Sequence, residues 1–249
     1  MTRGVYTAAA GMMANQAAQD AISQNLANAG TTGYKEDIPR FQSFDAALAS
    51  RMSPSGQSSV GSLGSGVNLK DEITNFADGG LQKSGNPLDV AVTGDAALVI
   101  QTSQGPRLSR DGALSLDAKG NLVQTNGNAI VLGDNNQPIR IPAKAKNIAI
   151  STRGEISADG VRIGRLKLAG LSAVDRPVKM GDNQFAVQTL RPASATATVR
   201  QGYLEASNVN VVKEMVNMIA IMRAYETNQK MLQAEDDVTG KSVDEVSKL

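Results

Sequence analysis

Near the end of the chain, Val211, Met215, Met218, Met222 and Tyr225 mark one frame, which Gln229 and Leu232 continue. The steps alternate four and three and repeat every seven residues, the spacing of a helix seam. A second row, Val212, Val216 and Ile219, widens the stripe. A single helix cannot bury that much apolar surface on itself, so a partner helix is expected. The other long helical pattern lies at the opposite end, over residues 4–29. It is free of proline and rich in alanine, the best helix former. Its apolar positions are Tyr6, Ala10, Met13, Ala17 and Ala21, with Ile22 and Leu26 beside them. Arg3 and Asp20 are its only charges before Lys35. A helix bare of charge on every face suits packing against protein on several sides. Asn28, Gly30 and Gly33 then supply residues that tolerate left-handed backbone and end it.

Between these helices the period drops to two. Short apolar runs at 88–92, 97–101, 107–109, 113–116, 122–125, 129–132, 139–141, 148–151, 155–157 and 164–171 are separated by turn residues. Asp111-Gly112, Asn126-Gly127 and Asp159-Gly160 are strong hairpin signals. Residues 43–69 read as a linker: one or two helical turns at 44–52, then a Gly/Ser-rich run at 53–66 that has little to bury. All eight prolines fall between Pro39 and Pro192. The predicted class is α+β, with terminal helices paired as a coiled-coil-like hairpin around an inserted antiparallel β-domain. The boundaries are an N-terminal helix at 1–33, a linker at 34–69, a β-rich domain at 70–203 and a C-terminal helix at 204–249. Asn208 or Asn210 is expected to cap the last helix, with Glu214 in its first turn. Below Leu232 the stripe fades and Glu235, Asp236 and Asp237 gather, so that end is expected to fray.

Composition narrows the chemistry. Lys plus Arg number 25 against 24 Asp plus Glu, and Cys, His and Trp are absent. Thiol nucleophiles, histidine acid/base catalysis and Cys/His zinc sites are therefore excluded. No charge excess steers nucleic acid, and no apolar run is long enough to span a membrane. The opening residues reach Asn15 and Gln16 before a continuous apolar region can form, so no cleaved signal peptide is expected. Asp89, Asp95, Asp111 and Asp117 could in principle pair for glycoside hydrolysis. The last three sit in turn signatures, where backbone geometry accounts for them. Asp134-Asn135-Asn136 lacks the glycine and distal glutamate of a calcium loop. The methionines could form an adaptable docking groove, but their heptad spacing favours a seam. No catalytic, metal or cofactor site is expected.

Three blocks carry a resemblance. The stretch from Asn25 through Leu26 and Asn28 to Gly33, Tyr34 and Lys35 resembles the N-terminal signature of bacterial flagellar rod and hook proteins. Leu88 to Asp95, followed by Ser109 to Leu122, is similar to the family's central β-domain, although Ala96-Ala97-Leu98 stands where Gly and aromatic residues are usual. Gln201 to Ile219 and Arg223 to Glu226 resemble the C-terminal helix. The nearest likeness is to basal-body rod proteins. The resemblance implies a non-enzymatic subunit of the flagellar axial structure. Its partners would be copies of itself, other rod and hook subunits, and the flagellar type III export apparatus. Its place would be outside the cytoplasm, in the periplasm or cell wall, reached without a cleaved signal. Helix packing and assembly are expected to use Tyr6, Met13, Ala17, Ile22, Asn25, Leu26, Asn28, Val211, Met215, Met218, Ile219, Met222 and Tyr225. The alternatives are a hook subunit, a secreted peptidoglycan-acting enzyme, or an export-gate or chaperone partner.

Overall fold

The computed structural model describes residues 2–43, 66–142, 144–171 and 177–246. The helical turns read at 44–52 and the Gly/Ser run, apart from Gly66, lie outside the described residues. The chain divides into two units. One contains residues 1–27, 37–73 and 210–249; the other contains 28–36 and 74–209.

The first unit is built on α1 (Thr2–Ala27) and α2 (Val211–Val246). They pack together antiparallel: Gly4 meets Glu235, Gly11 meets Asn228, and Asn25 donates to Glu214. These contacts recur every seven residues on both helices, and the same register sets Ala18 opposite Ile221. Small residues on α1 let the helices come close. A Cβ added at Gly11 would stand 2.8 Å from the Asn228 amide, and one at Gly4 would enter the Glu235 carboxylate. A second flank of α1 meets the rest of the unit, where Gly66 approaches the Ala10 side chain. This region also holds a two-stranded sheet of β1 (Asp37–Ser43) and β2 (Val67–Thr74), flanking the stretch read as linker. Asn210 caps α2 by accepting from the Lys213 amide at 3.1 Å. The helix runs on to Val246, well past the expected fraying point. Its last turns contain no proline to break them, and Gly240 is carried within them.

Among its described residues, the second unit's regular elements are all strands. Its strands are β3 (Leu81–Lys83), β4 (Val90–Thr93), β5 (Ala97–Thr102), β6 (Gly105–Ser109), β7 (Leu114–Leu116), β8 (Leu122–Gln124) and β9 (Ile130–Val131). They continue as β10 (Ile148–Ile150), β11 (Glu155–Ala158), β12 (Val161–Arg165), β13 (Leu168–Ala169), β14 (Val178–Lys179), β15 (Gln184–Ala186), β16 (Thr198–Gln201) and β17 (Tyr203–Glu205). Eight strands form the main antiparallel sheet in the order β14-β15-β6-β5-β9-β8-β7, with β13 also on β5. The strand β5 is buried on both faces. Leu98 and Ile100 join one apolar cluster with Leu122, Ile156 and Leu166, while Ala97 and Val99 join another with Leu108, Leu171 and Phe185. That split follows from side chains alternating across a strand. Ala96, Ala97 and Leu98 are fully buried, so small residues there fit the packing.

The hairpin signals resolve in two ways. Asp159 and Gly160 both have positive φ, 48° and 83°, and join β11 to β12 as a primed turn. The Asn126-Gly127 signal falls in the longer loop that joins β8 to β9, where the positive φ values are those of Gly127 and Asn128, 84° and 51°. Asp111-Gly112 is different. β6 and β7 are not paired there, and a Cβ on Gly112 would overlap the Val90 carbonyl oxygen. That glycine serves close approach rather than a turn.

Candidate assembly surface and buried charge cluster

On α2, the residues turned to α1 are Glu214, Ile221, Asn228 and Glu235, with Met218, Tyr225 and Leu232 half-buried between them. This frame shares Met218, Tyr225 and Leu232 with the apolar frame read from the sequence. The remaining members of that apolar frame point elsewhere. Val211, Met215 and Met222 stay exposed, and so do Val212, Val216 and Ile219. The result is a continuous apolar strip over the first three turns of α2. On α1, Tyr6 and Met13 are each 72% exposed, whereas Ala17 and Leu26 are half-buried and Ile22 is buried. Three of the four heptad positions of α2 nearest α1 are polar, with Ile221 the apolar fourth, so the register is set largely by fit between glycine and amide or acid rather than by apolar bulk. A polar residue at such a position fixes register at some cost in stability.

Asn25 marks the end of this pair. Its amide donates to the Asp37 carbonyl at 2.8 Å and to Glu214 at 3.2 Å, and its oxygen accepts from the Asp37 amide at 3.0 Å. One side chain therefore ties the last turn of α1 both to the first turn of α2 and to the strand where the chain re-enters the unit.

Within the β-unit, segment 28–36 is held by a buried cluster of charges. Lys35 Nζ donates to Glu205 at 2.6 Å and to the Ala77 carbonyl at 2.8 Å. The other oxygen of Glu205 accepts from Arg110 at 3.2 Å. Arg110 also donates to Asp78 at 3.1 Å, to the Val92 carbonyl at 2.9 Å and to the Gly94 carbonyl. The side chains of Lys35, Arg110 and Glu205 are essentially inaccessible to solvent. Gly33 donates to the Glu205 carbonyl at 2.7 Å. Asp111 accepts from the Thr32 hydroxyl at 2.7 Å and from Asn126 at 3.1 Å. Lys179 stacks 3.9 Å above the Tyr34 ring. Asn208 accepts from the Glu36 amide at 2.7 Å and donates to the Asn75 carbonyl at 2.8 Å, which explains why Asn210 is the cap. Asn28 is half-buried at the start of this segment.

Two expected results test this cluster. Gly33 has φ of 66°, and a Cβ there would collide with the Arg110 carbonyl group. Left-handed strain in a non-glycine residue costs about 1–3 kcal/mol before any displacement. Gly33→Ala should therefore lose at least about 2 kcal/mol in urea unfolding. The second concerns Lys35, whose ammonium is pushed below the ordinary lysine range by burial, only partly offset by Glu205. Between that lowered value and about 10.5 the unfolded chain binds the proton and the folded chain does not. Stability therefore rises with pH through that window. Lys35→Met should abolish that rise, read as urea midpoints from neutral pH to pH 10.5.

Three family descriptions match in order along the chain. They are the flagellar basal body rod protein at residues 5–35, the flagellar hook protein FlgE/F/G D1 domain at 91–158, and the flagellar basal body rod FlgEFG protein C-terminal region at 200–245. Curated relatives extend this over the full length. The flagellar basal-body rod protein FlgG of Agrobacterium fabrum is 32% identical over 95% of this chain and 96% of its own. FlgF of Caulobacter vibrioides is 31% identical, and the hook-basal body complex protein FlhO of Bacillus subtilis 29%, each over 100% of both chains. The matched class is that of flagellar axial proteins, which are structural. Within it, the chain belongs to the flagellar basal-body rod FlgEFG family. The alternative of a peptidoglycan-acting enzyme finds no support among these relatives. Neither the heptad frame used by the pair nor the cluster of Lys35, Arg110 and Glu205 was anticipated. Both stretches were quoted for their likeness, but residues 75 or more positions apart leave no local pattern that joins them.

Proposed function

We propose that the chain is a structural subunit of the flagellar rod that assembles helically with copies of itself and with other rod and hook subunits. The observation that carries this reading is the exposed strip of Val211, Val212, Met215, Val216, Ile219 and Met222 on a helix whose partner helix is already engaged. Burying the exposed half of six such side chains contributes on the order of 5–9 kcal/mol, before ordering entropy. Tyr6 and Met13 offer a second, heptad-spaced contact on α1. The pair of α1 and α2 acts as a coiled-coil-like stem, and the assembly contacts expected at Met215, Ile219 and Met222 lie on its outer face. The subunit leaves the cytoplasm through the flagellar type III export apparatus without a cleaved signal, and reaches the periplasm or cell wall. A chain free of cysteine suits that passage, since no disulfide can lock it before export. The names of the relatives favour the rod over the hook. Fractionation of purified basal bodies tests the reading. The chain should copurify with the rod at a fixed ratio to other axial subunits, and its absence from intact rods would overturn it.

A further inference from the structure

We propose that Asn126 is a site of spontaneous covalent modification, at which its side-chain amide is lost through attack by the Gly127 backbone nitrogen. The reaction needs a following residue without a Cβ, which would otherwise shield that nitrogen. Asn126-Gly127 is the one Asn-Gly pair in the sequence. The loop must also be open to water, and residues 125–128, between β8 and β9, are all exposed. Finally, the attacking nitrogen must be free to give up its proton. The Gly127 amide donates to no group among the described residues. In the first step that nitrogen loses its proton to solvent and bonds to Asn126 Cγ. The Cγ–Nδ2 bond breaks, and ammonia leaves carrying, by way of water, the proton that Gly127 gave up. Water then opens the cyclic imide at either carbonyl. One product is aspartate; the other is isoaspartate, whose main chain runs through the side-chain carbon. Both carry a carboxylate in place of the amide, and nothing is oxidised or reduced.

The change falls on a contact that the β-unit uses. Asn126 Nδ2 donates to Asp111 Oδ2 at 3.1 Å. Asp111 is 2% exposed and accepts from the Thr32 hydroxyl at 2.7 Å. An ionised carboxylate has no proton to donate, so modification replaces that hydrogen bond with two like charges. The hold of Asp111 on segment 28–36 loosens as a result. Peptide mapping of the purified full-length chain, aged in warm, mildly alkaline buffer, tests the site. Asn126 should convert manyfold faster than Asn128, which is exposed in the same loop but precedes Ala129. Fragmentation mass spectra should show both aspartate and isoaspartate at residue 126. Asn126→Gln, whose longer side chain closes the ring far more slowly, should survive the same ageing. If Asn126 survives in the folded chain, or converts no faster than Asn128, the proposal falls. Conversion in the urea-unfolded chain alone would then assign the protection to the Asp111 bond. The consequence is read separately, as urea midpoints. Asn126→Ala removes the donor, and Asn126→Asp removes it and adds the charge. The midpoint should fall further for Asn126→Asp, and that of the aged wild type should fall with it. Equal midpoints for the two variants would overturn the coupling to Asp111. These measurements use the unassembled chain, so failure here leaves the assembly reading untouched.

Discussion

Glu205→Ala should cost about 3–5 kcal/mol, lowering the thermal midpoint on the order of 10 °C. Glu205 is the carboxylate that faces both Lys35 and Arg110, and its loss strands two buried cations. Asp78 remains, but it touches Arg110 alone and is 43% exposed. The loss also removes the acceptor for the Gly79 amide at 2.9 Å. A sharper result concerns the double variant. Lys35→Met placed on Glu205→Ala should restore part of the stability, because an uncompensated charge is worse than an apolar side chain of similar length. Additive losses in a full cycle would show that the cluster is not a coupled unit.

Val216→Asp should leave the monomer as stable as the wild type, within about 0.5 kcal/mol, and yet remove it from basal bodies. Val216 is 61% exposed at the centre of the α2 strip, so the substitution disturbs nothing inside the helix pair. In an assembled rod the same aspartate would be buried without a partner, at a cost of several kcal/mol per interface. Met218→Asp should fail twice. Met218 is half-buried between the helices, so the variant loses monomer helix content by circular dichroism as well as assembly. A strain carrying Val216→Asp that swims normally, with wild-type amounts of the protein in its rods, would remove the strip from the interface.

Local chemistry made much of the β-unit legible. The Asn126-Gly127 and Asp159-Gly160 turns, the run that became β5, and the cap at Asn210 each depend on residues close in sequence. What escaped depends on residues far apart. The helix seam was sought among apolar positions, because burial of methionine and valine is the usual drive for pairing. The pair instead nests Gly4, Gly11 and Ala18 against a frame that includes Asn228 and Glu235. A frame with Glu214, Asn228 and Glu235 at three of its four positions produces no hydrophobic period, so the stronger apolar signal was the face that α1 does not cover. Asp111 was misread for a related reason. An Asp-Gly pair has the same appearance whether it turns a hairpin or lets two backbones touch, and only the Val90 carbonyl behind Gly112 distinguishes the cases. Segment 28–36 carried helix-ending residues, but its membership of the β-unit rests on Asp111, Glu205 and Asn208, none of them near it in the chain.

The register of the two helices has one more consequence. Gly4 lies opposite Glu235, so Thr2 stands level with Asp237 and residues 238–246 of α2 extend beyond the start of α1. At 1.5 Å per residue that is a cantilever of roughly 13 Å. Val238 on it is 54% exposed. Shortening the chain to residue 238 would keep the contacts of Gly4 with Glu235, Gly11 with Asn228 and Asn25 with Glu214, while removing most of the length of α2 that projects past Thr2.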